Sequence, residues 1–288
     1  MQFRSFAFAV LLAGFPGLGQ APFVTQSAGA ARAAESPAQA LSTAVLLPDM
    51  LDIMREEGRA YGEDLESQFF PGTGGEDWAR QVEAIYDPAR LLPVFQAAFA
   101  KALTQSGADP APMLAFFASP LGGRIVTLEL SARRALLEDS VDEAARQKMD
   151  EMRIEAPPRL QLLETYITAN HLIDMNVASA LNANMAFMHG LGAAGALKKG
   201  LSEEALLAEV WSQEDAVRSE TGDWMLKFVI LAYGPLEDAE VVAYTDFSRS
   251  PEGSALNRAL FAGFDAVFAQ VSNELGRAVG RWTQGTSL

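Results

Sequence analysis

The pattern that most restricts this chain lies at its C-terminal end. After Pro251, the residues Leu256, Leu260, Phe264, Val267, Phe268, Val271, Leu275, Ala278, Val279 and Trp282 recur at three- and four-residue steps. Such a spacing lines one stripe of an α-helix and no face of a strand. The same steps recur from Leu47 through Met50, Leu51, Met54, Tyr61, Leu65 and Phe69. They predict a helix bent near Gly58 and ended by Pro71-Gly72-Thr73-Gly74-Gly75, which cannot continue it. Proline and glycine punctuation then predicts helices over Glu76–Tyr86, Pro88–Leu103, Pro110–Ala118 and Pro120–Glu138. Further helices are predicted over Leu160–Met188, Ser202–Ser219, Thr221–Tyr233, Glu237–Phe247 and Pro251–Trp282. No stretch shows a sustained period-two alternation of β-branched residues, so the expected fold class is all-α.

The 288 residues suffice for two modest bundles that need neither metal nor disulfide staples. A charged stretch leads to Glu155-Ala156-Pro157-Pro158, where consecutive prolines remove amide donors and push the preceding residue out of helical conformation. A boundary placed there divides the chain into a first helical unit, 34–156, and a second, 157–288.

Residues 1–33 read as a secretory signal peptide. Arg4 supplies a positive start and Ser5–Phe15 an apolar segment too short for a membrane span. Small-residue cleavage sites stand at Ala28-Gly29-Ala30 and Ala31-Arg32-Ala33. The expectation is a protein exported to the periplasm. Losing Arg4 and Arg32 leaves 20 basic against 37 acidic residues, a net charge of about −17. That charge argues against nucleic acid and anionic lipid headgroups, which require clustered Lys and Arg. The absence of cysteine excludes disulfides, thiol catalysis and thiolate metal sites, so stability must come from packing.

One motif occurs twice. Phe116-Phe117-Ala118-Ser119-Pro120-Leu121-Gly122 and Phe247-Ser248-Arg249-Ser250-Pro251-Glu252-Gly253 share Phe-x-x-Ser-Pro-x-Gly at a separation of 131 residues, each between two predicted helices. Ser119 and Ser250 are expected to cap the following helix by accepting from a first-turn amide. Pro120 and Pro251 then occupy the first helical position, where no donor is missed. Phe116 and Phe247 close each hairpin inward, and Gly122 and Gly253 admit a close neighbour. With this motif the chain resembles the secreted bacterial helical family known as domain of unknown function 2059, over about 110–137 and 236–270. The second copy, led by Leu236-Glu237-Asp238-Ala239-Glu240, is the better match. The resemblance implies an exported all-α fold with no assigned activity, and it transfers no catalytic residue. A weaker correspondence links Leu51-Asp52-Ile53-Met54 with Leu172-Ile173-Asp174-Met175, which would make each unit a copy of the other.

Other features carry bland readings. Gly190-Leu191-Gly192-Ala193-Ala194-Gly195, with Asp215 downstream, has a dinucleotide-binding spacing but no preceding strand, so it reads as a helix-ending loop. Met175–Leu197 lacks charge over 23 positions, yet Asn176, Asn182, Asn184 and His189 make it a buried helix at the unit interface, not a membrane span. His171 and His189, about 27 Å apart along a continuous helix, cannot share a metal. His171 with Asp174 and Glu164 makes only a partial oxygen and nitrogen set. Adjacent carboxylates such as Glu56-Glu57 and Glu203-Glu204 diverge on a helix. No Gly-x-Ser-x-Gly supports a serine hydrolase. The expectation is therefore a non-enzymatic binding or interaction module with no cofactor, metal or catalytic set. Its partner would be an envelope protein or an apolar ligand held in a groove lined by Met175, Met185, Phe187, Met188, Trp211 and Trp224. The alternative is a carboxylate-dependent hydrolase of a cell-envelope substrate, whose two carboxyls only folding could bring together.

Overall fold

A computed structural model describes residues 36–197 and 202–285; the expected signal peptide and its cleavage sites lie outside them. Thirteen helices and no strand occupy the described residues. They are α1 (Pro37–Ala44), α2 (Leu47–Phe69), α3 (Gly75–Ile85), α4 (Pro88–Ser106), α5 (Pro110–Ala118), α6 (Pro120–Ala135) and α7 (Asp139–Glu155). There follow α8 (Pro158–Ala169), α9 (Leu172–Ala193), α10 (Glu203–Trp211), α11 (Glu214–Tyr233), α12 (Asp238–Arg249) and α13 (Pro251–Gly285). The all-α expectation holds.

Most starts follow from local chemistry. Asp87, Asp109 and Ser202 each accept from a first-turn amide, and Ser36 with Gln39 completes a capping box. Proline stands at the first position of α4, α5, α6 and α8.

Two of the expected helices break differently. The segment Leu160–Met188 is two helices, because Asn170 turns its side-chain amide onto the Tyr166 carbonyl at 3.0 Å and His171 takes a left-handed φ of 51°. Leu46, before α2, adopts the same conformation with φ 46°. The helix expected over Ser202–Ser219 instead stops at Trp211, and α11 runs unbroken through Thr221, which burial against neighbouring helices keeps helical. The charged stretch before Pro157 forms α7, whose Ala145, Met149 and Met152 face inward.

Helix α13, about 52 Å long by helix rise, is the axis of the molecule. It lies along α9 and α4. The contact with α9 is close because Gly190 and Gly276 face each other's backbone: a Cβ on Gly190 would meet the Asn273 carbonyl at 2.2 Å. This explains the first glycine of the dinucleotide-like run. The last, Gly195, has φ 78° and ends α9 as Ala196 donates to the Leu191 carbonyl at 3.0 Å. No single helix among the described residues is long and apolar enough to cross a membrane, and α9, whose one charged residue is Asp174 in its first turn, packs on α13, α11, α8 and α10.

Packing on the two sides of Pro157 follows matching rules. Helix α1 packs on α5 and α8 on α12; α2 packs on α3 and α4, and α9 on α10 and α11. Across the boundary the partners are exchanged, with α4 on α13 and α11 on α6. One hydrophobic cluster therefore runs from Leu41 to Val279.

Candidate functional site

The two Phe-x-x-Ser-Pro-x-Gly hairpins have the same geometry. Ser119 Oγ accepts from the Gly122 amide at 3.0 Å and donates to the Phe116 carbonyl at 2.6 Å. Ser250 Oγ accepts from Gly253 at 3.0 Å and donates to the Phe247 carbonyl at 2.6 Å. A Cβ on Gly122 or Gly253 would stand 2.1 Å from that carbonyl oxygen, so the proline-led helix folds back directly on its predecessor. The rings of Phe116 and Phe247, 131 residues apart in sequence, stack on each other with centroids 3.8 Å apart and planes 4° apart. The Gly122 and Gly253 amides are thereby occupied by the capping hydroxyls.

Beside this stack lies a buried polar group that sequence reasoning missed. Glu129 of α6 is fully buried and accepts from the Tyr233 hydroxyl at 2.6 Å and the Tyr244 hydroxyl at 3.4 Å. Tyr166 shares hydroxyl hydrogen bonds with both and packs edge-on to Tyr233 and face-on to Tyr244. Burial first, and then the Glu129 charge, hold all three phenols well above the ordinary tyrosine range, so they stay protonated donors. One turn on, buried Arg133 holds Glu57 of α2 through bonds of 2.9 and 2.8 Å. Helix α6 thus ties α2 on one side to α11 and α12 on the other. The sequence signal was present: Glu129 and Arg133 fall on the apolar stripe of Ile125, Val126, Leu130 and Ala132.

An apolar recess lies between α2, α9, α13 and the α10–α11 turn. Aromatic rings come from every side: Tyr61 of α2, Tyr86 at the end of α3, Phe187 of α9 and Phe268 of α13. Ala180, Ala183, Met188, Val210 and Val271 supply the remaining apolar wall. Tyr86 is placed there because its ring lies flat over Gly58, the position where the sequence suggested a bend in α2. The polar groups are Asn184, Gln213, Ser272 and Glu209, with the Asn184 amide reaching Gln213 at 3.4 Å. Burial, and secondarily the nearby Asp64 carboxylate, push the Tyr61 phenol above its ordinary range; burial does the same for Tyr86. Both rings present neutral hydroxyls at any physiological pH.

Of the groove residues expected from sequence, Phe187 and Met188 line this cleft. Met185 packs into a small cluster with Val177 and Val217, Met175 lies near Asn257, Trp224 stacks on Phe228, and Trp211 projects outward 58% exposed. Tyr61, Tyr86 and Phe268 were not anticipated, since they come from helices distant in sequence.

The remaining candidates are dispersed. His171 precedes α9 on the surface, and Asp174 is engaged by Arg218 at 2.6 Å. His189 pairs with Glu203 at 2.9 Å. Among the described residues no group of three or more His, Asp or Glu gathers at one point. Asp265, raised by burial, is held by the Ser179 hydroxyl between α9 and α13.

Residues 89–151 match the model of a family described as an uncharacterized protein conserved in bacteria (DUF2059). The matched stretch runs from α4 into α7 and contains Phe116–Gly122; Phe247–Gly253, which the sequence reading favoured, lies outside it. Comparison with curated proteins and with solved structures gave no match.

Proposed function

We propose, on the premise that segment 89–151 belongs to the DUF2059 family of uncharacterized bacterial proteins, that this chain is an exported periplasmic binding protein. The cleft between α2, α9 and α13 takes an apolar ligand. The supporting observation is its lining: four aromatic rings and five aliphatic or methionine side chains around a few polar groups. Two related units, 34–156 and 157–288, build it, and the matching contacts on the two sides of Pro157, α1 on α5 and α8 on α12, support that division. The hydrolase alternative needs two carboxyls facing one substrate, whereas this lining contains only Glu209, so no observation favours it.

The test uses the neutral apolar fluorophore N-phenyl-1-naphthylamine and the secreted chain. Bound-probe emission is expected with the native protein and is lost in Ala183→Phe, which fills the cleft, while the far-ultraviolet circular dichroism of the two proteins stays the same. Equal emission from both proteins would defeat the assignment. Compartment is tested separately by N-terminal sequencing of periplasmic material, expected to begin between Ala31 and Glu35.

A further inference from the structure

We infer that the Leu207–Trp211 face of α10 docks a basic amphipathic helix of a partner protein. Leu207 is 47% and Trp211 58% exposed, and one helical turn apart they form a single apolar step on the surface. The opposite side of α10 is already covered, since Leu206 and Val210 are buried and the helix packs on α9. The other tryptophans have found partners within the chain: Trp78 is 1% exposed, Trp224 stacks on Phe228 and Trp282 on Phe70. Neither Leu207 nor Trp211 lines the recess between α2, α9 and α13, so this face is a separate surface and does not depend on the ligand reading.

The internal repeat shows that the fold does not require an apolar residue at either position. Helix α3 packs on α2 as α10 packs on α9, and each buries its fourth and eighth residues, Trp78 and Val82 in one, Leu206 and Val210 in the other. In that register Leu207 and Trp211 correspond to Ala79 and Glu83, a small and a charged residue, both exposed. The first unit thus presents the solvated surface expected of such a helix, whereas the second places a leucine and an indole there. Tryptophan is enriched among the residues that anchor interfaces, where its large apolar area is buried at little conformational cost.

The charge around the face selects the partner. Between Ser202 and Glu220 the carboxylates of Glu203, Glu204, Glu209, Glu214, Asp215 and Glu220 stand against one cation, Arg218, which Asp174 and Glu214 already engage. A second copy of the chain would bring the same carboxylates to the contact, and anionic headgroups would be repelled in the same way. A helix with leucine-like anchors bordered by lysine or arginine matches both the apolar step and its acidic rim.

Fluorescence anisotropy on the full secreted chain tests this with fluorescein-labelled model helices of one amphipathic pattern, built from Lys and Leu, from Glu and Leu, or from Lys and Ala. The Lys/Leu helix is expected to bind at least about tenfold more tightly than either of the others. The double variant Leu207→Ser, Trp211→Ser should lose about tenfold of that affinity, with the native circular dichroism and melting temperature, because both positions are exposed. A second double variant, Glu204→Gln with Asp215→Asn, should weaken the Lys/Leu helix about threefold without weakening the Glu/Leu helix. Unchanged Lys/Leu affinity in the serine variant overturns the inference, because binding then lies elsewhere. Equal affinity for the Glu/Leu helix, or no binding by any of the three, overturns it as well. Self-association in sedimentation velocity that the serine variant abolishes would make the face a contact between copies, and binding to phosphatidylcholine vesicles that it abolishes would make it a membrane surface; either result replaces the basic partner.

Discussion

The stacked Phe116–Phe247 pair makes a quantitative claim that separates a real junction from two independent hairpins. Read from sequence, the two motifs are 131 residues apart and their substitutions should add. In the fold the rings are face to face at 3.8 Å, each half-buried, and bordered by Phe117 and Tyr244. Truncating a fully buried phenylalanine costs about 3–5 kcal/mol. Half-burial lowers that to about 2 kcal/mol for Phe116→Ala or Phe247→Ala alone, since part of each ring already faces water. An aromatic pair contributes about 0.5–1.5 kcal/mol beyond area, and either single substitution removes it. The double variant should therefore cost about 3 kcal/mol, not the sum of about 4, a coupling of about 1 kcal/mol. Urea melts followed by circular dichroism and by tryptophan fluorescence measure this, provided both probes trace one transition, as the continuous core predicts. If the double variant equals the sum of the singles within about 0.3 kcal/mol, the stack contributes nothing and the junction has been misread.

Three other outcomes follow from the same structure. Ser119→Ala and Ser250→Ala should each destabilise by about 1 kcal/mol through the lost capping acceptor, and these two should add because each bond is local to its own hairpin; neutral effects accompanied by loss of ligand binding would make the motif functional instead. Asp265 is raised by burial, so the folded state holds its proton more tightly than the unfolded chain and its ionisation opposes folding as pH rises through the folded pKa; Asp265→Asn should therefore raise the melting temperature at pH 7 and lose that advantage below the ordinary value of 3.8. A reversed pH dependence would show that the Ser179 bond outweighs burial. Finally, because α4 rests on α13 and α11 on α6, the fragment 34–156 should lack a cooperative melt alone and regain one on mixing with 157–288; a cooperative melt of the isolated fragment would contradict the exchanged packing.

Much of the helical framework was legible in the residues themselves. Helix α5 begins and ends where its prolines and Ser119 place it, α2 spans the predicted Leu47–Phe69, and the stripe after Pro251 is the stripe that α13 buries. These features depend on short-range causes: side-chain periodicity, a capping oxygen three residues away, a ring that cannot donate. Where a break had no such marker it was missed, as at His171, where an asparagine side chain competes for a carbonyl and a non-glycine residue turns left-handed. Where a marker was present but overruled, as at Thr221-Gly222, burial between neighbouring helices kept α11 intact. Leu46 and His171 are both left-handed, so Leu47-Pro48-Asp49-Met50 opens α2 as Leu172-Ile173-Asp174-Met175 opens α9.

The cleft was legible only in fragments. Phe187 and Met188 stood in the expected groove as part of the uncharged Met175–Leu197 stretch, but Tyr61, Tyr86, Phe268 and Glu209 join them from α2, the end of α3, α13 and α10. Likewise Glu129 and Arg133 broke the apolar stripe of α6 in plain view, yet what they reach, Tyr233 and Tyr244 on one side and Glu57 on the other, lies 76 to 115 positions away in the chain and is brought near only by packing. Periodicity tells a helix which face to bury and is silent on which helix will cover it. That choice was made by the crossing of α13 with α9 and α4, where glycine permits backbone contact and volumes must fit, and it alone assembled the aromatic walls of the site.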